Sequence, residues 1–170
     1  MDDHPSTANL ELYLLRHAHA GNATDWVGDD SLRPLSAKGR RQAEKLGRHL
    51  AELHFEPDSI VSSPKLRALE TAQLMADDLG LAVTVDDRLA GGLDLDSLEA
   101  VIASAGGWRV VLVGHDPDLS ELCGSLTGMG YLPMKKGALA RIDIAPPIAE
   151  GAGTLRWLLP PDTIPDNLGR

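Results

Sequence analysis

The stretch Leu10-Glu11-Leu12-Tyr13-Leu14-Leu15-Arg16-His17-Ala18 decides how this chain is read. Residues 10–15 are nearly continuous apolar sequence, as in a central strand covered on both faces. The run then ends in an arginine and a histidine. Burying charge is costly unless an opposite charge meets it. A cationic pair closing a buried strand therefore marks a place where an anion is held. In an α/β sheet, the carboxyl ends of the strands are also where ligands bind.

Two other segments end in the same way. Arg109-Val110-Val111-Leu112-Val113 is a second buried strand, followed by Gly114-His115-Asp116-Pro117. Ser59-Ile60-Val61 is a short strand, followed by Ser62-Ser63-Pro64-Lys65-Leu66-Arg67. Parallel strands of one sheet put their carboxyl ends on one edge, so Arg16, His17, Arg67 and His115 converge there. Lys65 and Arg67 stand in the first turn of a helix, where positive charge is unfavourable unless an anion is bound.

The elements between these segments give an α/β fold. Ala18–Leu35 is a long loop carrying Gly21, Gly28 and Pro34. Ser36 caps a helix whose apolar positions are Ala43, Leu46, Leu50 and Leu53. Ser63-Pro64 reads as a cap with proline at the first helical position, and Gly80 stops that helix. Ala82–Val85 is a further strand, Gly91-Gly92 a turn and Asp96–Ala105 a short helix. Asp116-Pro117 repeats the cap-plus-proline start for a helix through Leu119, Leu122 and Leu126. Ala138–Ile144 and Thr154–Leu159 are late strands joined by a turn short enough for an antiparallel pair. Strands alternating with helices predict a single three-layer domain with a mainly parallel, mixed sheet. The expected layout is a disordered lead-in over 1–9, one domain over 10–160 and a loose tail over 161–170.

Composition narrows the function. The 170 residues suit one domain, and 43% are hydrophobic, enough for a proper core. Net charge is −9, and no basic stripe is visible along the sequence, which argues against nucleic acid. The acidic balance repels anionic substrates at long range, so a phosphate site must rest on a local cationic cluster. One cysteine, Cys123, excludes a disulfide framework and points to a reducing compartment. The acidic, polar start is unlike a signal peptide, and no apolar stretch is long enough for a membrane helix. The expectation is a cytoplasmic protein, monomeric or weakly dimeric, with no membrane partner.

Two histidines and two arginines around a phosphate imply a mechanism. Neutral His17 attacks phosphorus in line, while Arg16, Arg67 and His115 neutralise the equatorial oxygens. Water then hydrolyses the phosphohistidine, so one difficult step becomes two.

Leu14-Leu15-Arg16-His17-Ala18 resembles the Arg-His-Gly signature of the histidine phosphatase superfamily, the phosphoglycerate-mutase-like fold. Ser62-Ser63-Pro64 through Arg67-Ala68 to Thr71-Ala72 is similar to that family's second-arginine helix. Val113-Gly114-His115-Asp116-Pro117-Asp118-Leu119-Ser120 resembles its second-histidine loop. That loop, with Arg33-Pro34-Leu35-Ser36 and the short length, looks most like the SixA branch, the phosphohistidine phosphatases. The resemblance spans roughly residues 10–145. It implies His17 as nucleophile, Arg16, Arg67 and His115 as the phosphate pocket, and no metal or organic cofactor.

Two departures stand out. Ala18 replaces the usual glycine, a small change where φ stays negative. Many family members carry a glutamate acid after the third strand, whereas this chain reads Leu89-Ala90-Gly91-Gly92-Leu93-Asp94. Asp94, Asp96, Asp25, Asp29, Asp30 and His19 are the alternatives, or there is no enzyme acid at all. A phosphorylated imidazole carries its own proton on the second ring nitrogen. The missing acid therefore favours phosphohistidine on a carrier or phosphorelay protein as substrate. A small phosphorylated metabolite is the alternative, and a non-catalytic phosphoprotein-binding module is a weaker one.

The remaining residues have plainer readings. His17-Ala18-His19 has the alternation of half a metal site, but no third ligand matches it. His4, His49 and His54 read as surface residues, and Cys123 as core beside Leu122 and Leu126. Asp25, Asp29 and Asp30 read first as solvated loop charges. Trp26 either packs its loop down or meets a protein substrate.

Overall fold

The buried strand of the opening stretch is the middle of the sheet in a computed structural model that describes residues 9–166. β1 spans Leu10–Arg16. Its alternation sorts side chains to two faces: Leu10, Leu12 and Leu14 enter one core cluster, Tyr13 and Leu15 the other. β2 is Ser59–Ser62, β3 Val83–Val85, β4 Arg109–Gly114, β5 Leu139–Ile144 and β6 Gly153–Leu159. They form one sheet in the order β3-β2-β4-β1-β5-β6. The pairs β2–β3, β2–β4 and β1–β4 are parallel, and β5 and β6 add antiparallel at one edge.

Four helices cover the sheet. α1 (Ala37–Glu52) and α2 (Leu66–Asp77) pack Leu46, Leu50, Ala72 and Met75 onto one face. α3 (Leu95–Ala105) and α4 (Asp118–Thr127) pack Leu98, Val101, Leu119 and Leu122 onto the other. This is the three-layer α/β architecture of the phosphoglycerate-mutase-like fold, and the antiparallel late pair stands where the short turn placed it.

The parallel register brings the three charged strand ends together. Arg16 pairs with Gly114, and Ser62 with Val113. The ladder continues one step beyond the strands: the His17 amide donates to the Gly114 carbonyl at 3.0 Å, and the Ser63 amide to the Val113 carbonyl at 2.9 Å.

Three local expectations are corrected. Leu53 is no core position; it is the C-cap of α1, past the last helical residue Glu52, and is largely exposed. Ser63 and Asp116 do not stand at the cap positions of α2 and α4. α2 begins after Lys65 and α4 after Pro117, so the predicted residues do not hold the cap positions, although Asp116 still accepts the Ser120 amide of the first turn of α4 at 3.3 Å. Both side chains are drawn to the strand ends, where they bond His115 and Arg16 respectively. The tail is docked as far as described, since Pro161–Thr163 forms a turn of 3-10 helix and Ile164 is buried against the α1–α2 face. The lead-in, with His4, lies outside the described residues except for Asn9, and residues 167–170 lie outside them too. No helix among the described residues is long and apolar enough to cross a membrane.

Candidate active site

The four residues singled out from the sequence meet at the carboxyl edge of the sheet. His17, Arg67 and His115 are 6%, 6% and 7% exposed, so this is a buried cluster rather than a surface patch. The rings of His17 and His115 lie 5.2 Å apart, centre to centre.

His17 is held in one tautomer. Its Nδ1 lies 2.8 Å from the Ala18 carbonyl, which can only accept, so Nδ1 carries the proton. The Nε2 lone pair is left free. Burial pushes the ring down to about 3; the Ala18 carbonyl opposes this, while Arg67, Arg16 and Lys136 reinforce it. The neutral, nucleophilic form is therefore the resting form at pH 7.

His115 is built differently. Its Nε2 is 2.8 Å from Ser63 Oγ, and that oxygen also accepts the Lys65 amide at 3.2 Å. The Ser63 hydroxyl proton is then available to Nε2, which leaves Nδ1–H as a donor. Burial, followed by the neighbouring His17, Arg67 and Lys65, brings His115 to about 3 as well.

The arginines are half-satisfied. Arg16 Nη1 donates to the Met134 carbonyl at 2.6 Å and pairs with Asp116 at 2.9 Å. Arg67 donates to the Asp30 carbonyl at 2.7 Å and pairs with the Asp30 carboxylate at 3.1 Å. Thr71 Oγ1 donates to the Arg67 carbonyl and accepts the Ala18 amide, tying α2 to the end of β1. Among the described residues, the buried side-chain polar atoms without a hydrogen-bond partner are Arg16 Nε, Arg67 Nε and His115 Nδ1. Buried polar groups are ordinarily paired. Three orphans confined to three residues of one cluster amount to a cradle of donors for an anion.

The proposed acids fare otherwise. Asp30 is the counter-ion of both Arg67 and Arg33, and the Arg33 hydrogen bond holds its carboxyl below the usual range. Asp29 is held low by the Ser31 amide, and Asp94 by Ser97 in the capping box of α3. Asp96 is exposed in the first turn of α3, and Asp25 is exposed and accepts from Asn22. His19 turns to α1, its Nδ1 2.7 Å from Ser36 Oγ. Gly39 permits that contact: a Cβ there would lie 2.0 Å from the His19 carbonyl. At Gly91-Gly92 both φ angles are positive, and the segment returns to the core through Leu93, whose amide donates to Asp118.

Sequence reasoning missed Lys136 and the counter-ion roles of Asp30 and Asp116. Gly137 adopts φ +81° and donates its amide to the Arg16 and His17 carbonyls, which brings Lys136 beside the pocket. The signal was Lys135-Lys136-Gly137 directly before a buried strand. Trp26 donates its indole N–H to the Asp29 carbonyl, so it ties its own loop. Cys123 is core: burial pushes its thiol up to about 12, and its sulfur lies 3.4 Å from that of Met134. No group of three or more His, Cys, Asp or Glu side chains gathers as metal ligands among the described residues.

Residues 12–91 match the histidine phosphatase superfamily (branch 1). An uncharacterised protein of Picosynechococcus is 36% identical over 119 residues, 66% of this chain and 70% of that protein. The chain belongs to the histidine phosphatase superfamily. A probable phosphoglycerate mutase, GpmB of Salmonella choleraesuis, is 32% identical over 114 residues, 64% of this chain. The match spans about half of that mutase, 52% of its length. Among solved structures, a candidate phosphohistidine phosphatase SixA from Agrobacterium tumefaciens superposes with a TM-score of 0.74 at 25% identity, covering 88% of this chain and 97% of that one. The cradle and the lone pair of His17 thus lie in a superfamily fold with a SixA-like outline.

Proposed function

We propose that this superfamily member is a phosphatase that works through a phosphohistidine on His17 and removes phosphoryl groups from phosphohistidine on a protein. The observation that carries the reading is the set of three orphaned donors around a neutral histidine with a free lone pair.

The chemistry follows from these parts. His17 Nε2 attacks phosphorus in line; the new P–N bond forms as the bond to the leaving group breaks. Arg16, Arg67 and His115 Nδ1 donate to the equatorial oxygens, where charge accumulates. The proton stays on His17 Nδ1, which donates it to the Ala18 carbonyl, and this stabilises the phosphorylated ring. Water then attacks phosphorus, releasing phosphate and restoring Nε2.

The leaving group decides the substrate. Asp29, Asp30 and Asp94 are all held ionised, so none of them stores a proton at neutral pH. An alkoxide leaving group needs such a proton. A phosphorylated imidazole protonated on its second nitrogen departs as neutral imidazole and needs none. The SixA-like outline supports the same substrate. The similarity to a protein named as a mutase favours a second reading, a small phosphorylated metabolite.

A side-by-side turnover assay tests the two. A histidine-phosphorylated carrier protein is compared with p-nitrophenyl phosphate and a panel of sugar phosphates, using wild type and His17→Ala. Fast, His17-dependent loss of phosphohistidine, with weak turnover elsewhere, is expected. Higher kcat/KM on a sugar phosphate overturns the substrate and keeps the nucleophile.

A further inference from the structure

Beside the phosphate pocket lies a groove that this chemistry leaves unused. Lys38, Arg41, Lys45 and Arg48 recur at three- and four-residue spacing along α1 and so share one face. Lys135 and Lys136, from the turn before β5, line the same groove, which measures about 620 Å³. His19, two residues from His17, lines it too.

Six of the chain's 16 lysines and arginines thus face one groove in a molecule of net charge −9. Such crowding of like charge is unfavourable unless anions answer it. Lys38, Arg41, Arg48 and Lys136 make no ion pair among the described residues. The other two hold carboxylates of the chain's own C-terminal segment: Lys135 pairs with Asp162 at 3.1 Å, and Lys45 with Asp166 at 3.0 Å. Ile164 anchors that segment between them. Both carboxylates remain well exposed, 65% and 92%, so the segment rests lightly on the cations. The groove therefore already accepts carboxylates carried on a peptide.

Its position joins it to the pocket. Lys136 precedes the glycine bonded to the Arg16 and His17 carbonyls. Burial lowers its ammonium, and the fields of Arg16, Arg33 and Arg67 add to the effect. The α1 cations extend away over about 15 Å, taking 1.5 Å per helical residue from Lys38 to Arg48. A small metabolite bound at His17 does not span that distance, whereas a peptide segment does.

We propose that the groove docks an acidic segment of the phosphorylated protein substrate, whose carboxylates sit on the α1 cations while its phosphoryl group reaches His17. This rests on the reading of the substrate as protein-borne phosphohistidine. Asp162 and Asp166 are the internal competitors that an incoming segment displaces.

The test uses the full chain and the double variant Lys38→Glu/Arg41→Glu, with Lys38→Gln/Arg41→Gln as the milder form. A fluorescein-labelled oligo-glutamate peptide is titrated by anisotropy at rising salt. Wild type binds it in a salt-sensitive manner, and the charge-reversed variant binds about tenfold more weakly or worse. The variant raises KM for a histidine-phosphorylated protein with an acidic face about tenfold, while p-nitrophenyl phosphate turnover is unchanged. Equal peptide binding by wild type and both variants overturns the groove, as does an unaltered KM for the phosphoprotein. Tight binding of inorganic tripolyphosphate without peptide binding also overturns it, in favour of a small-polyanion subsite. Preference for a nucleic acid over the peptide overturns it likewise. Groove-dependent peptide binding without any phosphohistidine turnover supports the docking surface and sinks the substrate reading. Phosphohistidine turnover indifferent to both variants does the reverse.

Discussion

β1 is charged at both ends, and the two ends are built on opposite plans. At the amino end, Glu11 accepts from Tyr13 at 2.7 Å and from Arg109 at 2.9 Å, and pairs with Arg141 at 3.2 Å. Arg141 and Arg156 then share Asp143 at 2.8 and 2.7 Å. Every cation in that network has a carboxylate. At the carboxyl end, Arg16 and Arg67 each have one carboxylate and still leave a buried N–H unpaired, and His115 leaves another. The two ends cannot be told apart by charge content. They differ in completion. A closed network stabilises the fold, and an open one keeps donors for something that arrives later.

The contrast can be broken most directly at His17. His17→Ala should lower kcat by more than about 10³-fold, in the range seen when a nucleophile is removed, and should abolish acid-quenched phosphoenzyme. Turnover at the wild-type rate would remove the nucleophile from the open end. Arg67→Ala comes next, with a loss of about 10²-fold in kcat/KM by analogy with a single oxyanion donor. Glu11→Ala at the closed end should show the reverse pattern: an unchanged kcat/KM and a stability loss of about 1 kcal/mol in denaturant titration. If Glu11→Ala cost activity, or Arg67→Ala cost none, completion would not separate the two ends.

Acid titration sharpens the same point. His17 and His115 sit at about 3 when folded, against an ordinary 6.5, so between these values the unfolded chain binds more protons. Their contribution to stability is complete above pH 6.5 and is lost as pH falls towards 3. The Tm of wild type should fall across that window, and His115→Gln should flatten the fall. A slope unaltered by the substitution would mean that His115 is not held neutral by its surroundings. The smallest effect belongs to Asp94→Ala. Losing the α3 cap should cost about 1 kcal/mol with no change in turnover, and lost turnover would restore Asp94 as an acid.

Much of this was legible before folding was considered. The Leu10–Leu15 run, its charged end and the repeat of that ending after Val61 and Val113 mark three strand ends and four residues of the cluster. The capping serine at 36 was legible too, because its signal is local. The roles of Ser63 and Asp116 were misread for the same reason. A serine or aspartate before a proline is the local signature of a helix start, and only the histidine or arginine brought in by another strand reveals its further partner. The pairing of Asp30 with Arg67 and the docking of Ile164 depend on residues far away in the chain and leave no local trace, and Lys136 has only the Lys135-Lys136-Gly137 turn before a buried strand to mark it.

The sequence by itself determined which residues bear the chemistry and which element each one ends, because apolar periodicity and the cost of burying charge act over a few neighbouring residues. Only the tertiary structure decided which of those charges are answered. Arg16 Nε, Arg67 Nε and His115 Nδ1 are orphans because the parallel register of β1, β2 and β4 sets them around one point and supplies too few acceptors there. Whether a donor is satisfied depends on distances across the sheet, and those distances exist only once the chain has folded.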